Sequence, residues 1–117
     1  MERCTRPWGW YETLAEGEGY LIMRLWIEPG QRLSLQRHQH RLEHWYVAAG
    51  EGVVSLDGTQ HAAQAGNTFD VPCSCVHRAT AGTEGLLIVE VQRGSILCED
   101  DIERFADDYG RVAAPVG

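Results

Sequence analysis

The sequence predicts an all-β sandwich or barrel, and three observations carry that expectation. Short apolar or alternating runs recur along the chain, each bounded by a turn signal at the spacing of an antiparallel fold. No segment before residue 95 has a convincing helical period. At 117 residues with 44% hydrophobic composition, the chain is one domain, residues 1–117, with enough apolar content for its own core.

The first strand is Tyr20–Glu28 (YLIMRLWIE), stopped by Pro29-Gly30, and Leu33–His38 (LSLQRH) follows it. His44–Ala49 (HWYVAA) ends at Gly50-Glu51-Gly52, and Gly52–Asp57 (GVVSLD) ends at Asp57-Gly58. Asp-Gly between apolar runs is the best hairpin signal in the chain, because both residues tolerate the left-handed backbone of a two-residue turn. Ala65-Gly66-Asn67 introduces Thr68–Val71 (TFDV), and a turn over Gly82 to Gly85 introduces Gly85–Gln92 (GLLIVEVQ). After residue 95, CEDDIERFADDYG places Ile102, Phe105 and Tyr109 at helical spacing behind an acidic first turn, which predicts one short C-terminal helix. There is no internal repeat and no low-complexity tract.

Charge and targeting exclude several classes. The formal charge is −7, so clustered cations for nucleic acid or an anionic membrane are not expected. The start, MERCTRPWGWYE, lacks the apolar stretch of a signal peptide, and no run is long enough to span a bilayer, so the chain reads as cytoplasmic. Cys4, Cys73, Cys75 and Cys98 contain no C-x-x-C pair and are expected as free thiols. All 10 basic residues are arginines, which rules out lysine Schiff-base chemistry and leaves planar forks suited to phosphate or carboxylate.

The densest chemistry lies in QRHQHRLEHWYVAAG, Gln36 to Gly50. In an extended strand His38 and His40 share a face and reach one cation together. Glu43 lies close behind, and GNTFDVPCSCVHR supplies His77 after a strand and a Pro-containing turn. Three imidazoles and a carboxylate suit one divalent Zn, Mn, Fe, Co or Ni ion rather than Ca or Mg. His44 rivals Glu43 as the fourth ligand. Cys73 and Cys75 are read as thiols rather than ligands, His61 as a surface or structural histidine, and Trp8, Trp10 and Tyr11 as packing.

Gly30, His38-Gln39-His40, Glu43 and Gly50 resemble the first cupin motif, and Gly66, Pro72 and His77 resemble the second. That resemblance implies a jelly-roll barrel. Within the superfamily the chain looks like the C-terminal domain of type II mannose-6-phosphate isomerases, through RPWGWYE at Arg6 to Glu12, the run from Pro29 to Gln36, H-x-H-R-x-E-H-W at His38 to Trp45, and EDDIERFADDYGR at Glu99 to Arg111. The E-x-x-Y-V-x-x-G pattern after the cupin acid favours Glu43 over His44. Ser74 stands where the second motif usually has glycine, and Met23 where relatives often carry lysine. Nothing resembles the Gly-rich nucleotide loop of the guanylyltransferase that precedes this domain in many bacteria.

The resemblance implies interconversion of mannose 6-phosphate and fructose 6-phosphate, with His38, His40, Glu43 and His77 on the metal. His44 and Glu90 are the expected proton carriers, and Arg41, Arg104 and Arg111 the expected phosphate ligands. It also implies a homodimer whose small-molecule partner is a sugar phosphate. Two other classes remain: an iron-dependent cupin dioxygenase, and a non-catalytic sugar-binding module.

Overall fold

In the computed structural model, which describes residues 2–98 and 100–111, every regular element is a strand. In chain order they are β1 (Arg3–Arg6), β2 (Gly9–Gly17), β3 (Tyr20–Ile27), β4 (Leu35–Arg37), β5 (Arg41–Leu56), β6 (Thr59–Gln64), β7 (Thr68–Val71), β8 (His77–Gly94) and β9 (Glu103–Ala106). No helix among the described residues is long and apolar enough to cross a membrane.

The two long strands, β5 and β8, knit the fold together. Their first and last halves pair antiparallel across most of their length, Arg41↔Gly94 through Leu56↔His77. The N-terminal half of β5 also pairs with β7, and its C-terminal half with β6. The C-terminal half of β8 carries β3, then β2 and β1, while its N-terminal end carries β4 and then β9. Two sheets sharing two bent strands close on one interior, which is the expected jelly roll.

The Gly50-Glu51-Gly52 and Gly82–Gly85 signals mark where both strands bend rather than where they end. The β5–β8 register skips between Gly50 and Gly52, passing from Leu86 to Ala81. Gly50 has φ +82° there, and a Cβ on it would lie 2.0 Å from the Gly85 carbonyl oxygen. The chains therefore cross too closely for any side chain. The Asp57-Gly58 hairpin forms as expected, with φ 47° and 84° between Leu56 and Thr59. The β1, β2 and β6 strands were not expected. TQHAAQ buries only Ala63, so it offers no alternation to read.

Inward-facing residues stack in layers graded from polar to apolar. Leu21, Gln92 and Glu43 align at one end, followed by Met23, Glu90 and Trp45, then Leu25, Ile88 and Val47, then Ile27 and Leu86. Ile27, Val47, Leu86 and Ile88 have no exposed surface, so the apolar end is sealed while the opposite end opens into a cavity.

The expected C-terminal helix is absent, and a strand stands in its place. Glu103–Ala106 alternates exposed and half-buried residues, pairing Arg37↔Glu103, Gln36↔Arg104 and Leu35↔Ala106. An open edge at β4 satisfies this backbone better than an isolated helical turn does. Glu99, part of the same expected segment, lies outside the described residues.

Ser74 adopts φ 66°, the left-handed backbone that the glycine of the related motif would take without strain. Its N–H donates to the His38 carbonyl at 2.7 Å, so the strained turn supports the site. Ser74→Gly should therefore raise stability by about 0.5–1 kcal/mol, net of glycine's extra chain entropy. A rise of a few degrees in the midpoint of thermal unfolding is expected; an unchanged or lower midpoint would remove the strain argument.

Candidate metal centre

Alternation along β5 sends Glu43, Trp45 and Val47 inward and His44 and Tyr46 outward. Glu43 is 1% exposed, and its Oε1 accepts a hydrogen bond from Trp45 Nε1–H at 2.9 Å. Its Oε2 accepts from Arg41 Nε–H at 2.8 Å and lies 3.3 Å from His38 Nε2. His77 enters from the start of β8, with Nε2 3.9 Å from Glu43 Oε1. The ligand atoms of His38, Glu43 and His77 all lie within 4.8 Å of one another.

Backbone carbonyls set both imidazoles. His38 Nδ1–H donates to the Asp101 carbonyl at 2.6 Å, and His77 Nδ1–H to the Cys75 carbonyl at 2.9 Å. Each Nε2 is left as a lone pair facing Glu43, the tautomer a cation requires. Burial holds both histidines below the usual imidazole range, against the pull of Glu43, so both are neutral near pH 7. Burial alone would push the Glu43 carboxyl up; His77, a hydrogen bond from Glu90, Arg41 and His38, the histidines being charged in the acid range where Glu43 titrates, outweigh it and bring it down to about 2. Glu90 moves the other way. Its own burial and the adjacent Glu43 charge raise it well above the carboxylate range, so it stays protonated and donates to Glu43.

His40 is not brought into this group. The backbone N–H groups of Gln39 and His40 donate to the Asp101 carboxylate at 3.1 and 2.9 Å, which bends the chain out of the extended form that would align His40 with His38. His40 is exposed in that bend. His44 also lies apart, on the outer face of β5, with its side chain 56% exposed and paired with Asp70. Of the two rivals, Glu43 faces the interior and His44 the exterior.

The other expected residues surround one cavity of about 380 Å³. Arg41, Glu90, Arg104 and Arg111 line it together with His38, Glu43, His77 and Gln92. Arg111 is tied to Asp107 by two guanidinium contacts of 2.9 Å, so much of its charge is already balanced. Gln92 donates to Glu90 at 2.7 Å and to Met23 Sδ at 2.9 Å, while its buried Oε1 finds no partner among the described residues. Sequence reasoning missed Gln92 and two further participants. Arg6 lines the cavity from β1, and Asp101 holds the His38 bend. Arg6 falls in the RPWGWYE signature, but no periodicity marked β1 as a strand. All four cysteines are free, with Cys75 buried and its thiol raised by that burial. Trp8 packs in the core, and Trp10 lies on the outer side under Arg3, 3.9 Å from its ring centre.

Comparison with known proteins agrees with this architecture. Residues 1–107 match the family model described as mannose-6-phosphate isomerase C-terminal. The chain is 44% identical over 111 residues to the alginate biosynthesis protein AlgA of Pseudomonas aeruginosa, covering 94% of this chain and 23% of that protein. It is 42% identical over 108 residues to the mannose-1-phosphate guanylyltransferase of Escherichia coli K12, covering 92% of this chain and 23% of that protein. The chain thus spans about a quarter of these relatives. An RmlC-like cupin from Shewanella frigidimarina superposes with a TM-score of 0.68 at 22% identity over 78% of each chain, which shows the cupin fold.

The protonated Glu90 makes a testable contribution to stability. Its pKa is higher folded than unfolded, so the native state binds the extra proton above pH 4.5, and stability falls as pH rises through the folded pKa. Glu90→Gln can keep the hydrogen bonds to Glu43 and Gln92 without titrating. In metal-free protein, the variant's stability relative to wild type should rise with pH from about 4.5 upward, by at most about 1.4 kcal/mol per unit. Denaturant unfolding of both proteins across pH 4.5–8 measures this, and a pH-independent difference would show that Glu90 ionises freely.

Proposed function

The chain belongs to the mannose-6-phosphate isomerase C-terminal family, and we propose on that premise that it interconverts mannose 6-phosphate and fructose 6-phosphate at a metal centre built from His38, Glu43 and His77. The observation that carries the reading is the convergence of these three side chains on a cavity whose wall also presents arginines. Two neutral imidazoles whose lone pairs face one ionised carboxylate fit a divalent transition cation. His40, exposed in its bend, is not part of this set.

An aldose–ketose isomerisation moves a proton between C1 and C2 through an enediol. A divalent cation at this centre would supply a Lewis acid for the sugar carbonyl and for the negative charge that develops on it. The chain's own residues do the rest. Of the two expected proton carriers only Glu90 faces the cavity, where burial and Glu43 keep it protonated and able to exchange a proton with a bound sugar. His44, outside the barrel, has no route to the reacting carbons. Gln92 Oε1 is an acceptor for a sugar hydroxyl. Arg6, Arg41 and Arg104 supply positive charge for the phosphate, with Arg111 restrained by Asp107.

The test follows formation of fructose 6-phosphate by metal-loaded protein given mannose 6-phosphate. Turnover should stop on chelation and return with metal. Glu43→Gln should lose most metal and activity together, by about 10- to 100-fold or more. His44→Gln should leave metal content unchanged and activity within about twofold, since an exposed residue away from the site is near neutral. Metal uptake and thermal stabilisation by the sugar phosphate without turnover would replace the isomerase with a binding module. Oxygen consumption with an aromatic substrate would point to a dioxygenase.

A further inference from the structure

Arg41 hydrogen-bonds to two of the side chains that would hold a metal ion at this centre. Its Nε–H donates to Glu43 Oε2 at 2.8 Å while a terminal N–H donates to His38 Nε2 at 3.1 Å. These acceptors belong to two of the three clustered ligands. An imidazole nitrogen has a single lone pair, so His38 Nε2 can accept from Arg41 or bind a cation, but not both. A guanidinium cannot yield by losing its proton, since it stays charged at any ordinary pH. It can leave only by moving.

The barrel interior gives a physical reason for the guanidinium to sit there. Glu43 carries a buried charge that needs a partner, and without a metal Arg41 is a fixed cation beside it. A dication on His38, Glu43 and His77 takes over that role and repels a guanidinium a few ångströms away. Arg41 stands at the start of β5, its side chain 11% exposed on the cavity wall, and its long stem lets the head swing while the backbone stays paired with Gly94. The space it would enter already holds Arg6, Arg104 and Arg111. Another cation there is unfavourable alone and favourable around a phosphate.

We infer that Arg41 is a resident counter-cation which metal loading displaces into the cavity, so that metal binding and binding of a phosphate monoester favour one another. The inference rests on the proposed metal centre and adds the coupling between its two ligands. Coupling of this kind is reciprocal, so a phosphate that holds Arg41 in the cavity tightens the metal by the factor by which the metal tightens the phosphate.

Calorimetric titration of the metal-stripped full chain with Co(II) tests it, with and without methyl phosphate, an anion that lacks the sugar hydroxyls. Arg41→Met removes the charge while keeping similar bulk, and Arg41→Gln serves if the first variant does not fold, as judged by thermal unfolding. Without phosphate, the variant should bind Co(II) about tenfold or more tightly than wild type, the scale of one charge-assisted hydrogen bond. Saturating methyl phosphate should tighten wild-type binding by about the same factor and leave the variant nearly unchanged. Equal or weaker metal binding by a folded variant would overturn the inference, as would equal tightening of both proteins by phosphate. In either case a metal-binding wild type would leave the proposed centre standing. If neither wild type nor variant binds Co(II), the centre itself falls and takes the inference with it; binding by the variant alone supports displacement.

Discussion

A carboxylate inside a barrel is the constraint from which this site follows. Glu43 is 1% exposed, and an ionised carboxyl taken out of water costs several kcal/mol unless charges and donors replace the solvent. Trp45 supplies one donor from its own strand, Arg41 a second with full charge, and Glu90 a third by keeping its proton. The Nε2 atoms of His38 and His77 face the same carboxylate because carbonyls elsewhere have claimed their other nitrogens. The polar layer is one network in which no member keeps its protonation state independently of the others.

That network is tolerated because it occupies one end of a graded interior. Along β3, β5 and β8 the inward positions run from Leu21, Glu43 and Gln92 to Ile27, Val47 and Leu86. The fully buried apolar layers anchor the strands, and the polar layers borrow their positions. The bends in β5 and β8 let two strands serve both sheets, and the close crossing of Gly50 and Gly85 is what allows them. The His77 end of β8 is thereby brought over Glu43, which an unbent sheet of the same strands would not do.

The segment after β8 lines the mouth and redistributes charge. Asp101 holds the bend at His38, Asp107 restrains Arg111, and Asp108 pairs with Arg32. Ile102 and Arg104 face the cavity from the same stretch. An acidic chain thus keeps several arginines turned toward one cavity, which focuses positive potential where an anionic ligand would lie.

Whatever depends on alternation within a strand was determined by the sequence alone. The β pattern and the Asp57-Gly58 hairpin follow from the two-residue period and local turn chemistry, while the grouping of Glu43 with His38 and His77 was implied by the resemblance to the cupin motifs. The positive φ of Ser74 was legible too, from the position it shares with a motif glycine. What the tertiary structure decided involves partners distant in sequence. His40 turns outward because Asp101 captures the backbone beside it, and that contact leaves no mark on the spacing of His38 and His40. Glu103–Ala106 is a strand because β4 offers an edge, although its apolar residues recur at helical spacing. The place of Arg6 on the cavity and the contacts of Arg41 with Glu43 and His38 were likewise beyond the sequence, because a long side chain goes where charge and space direct it, and both are set by the assembled barrel.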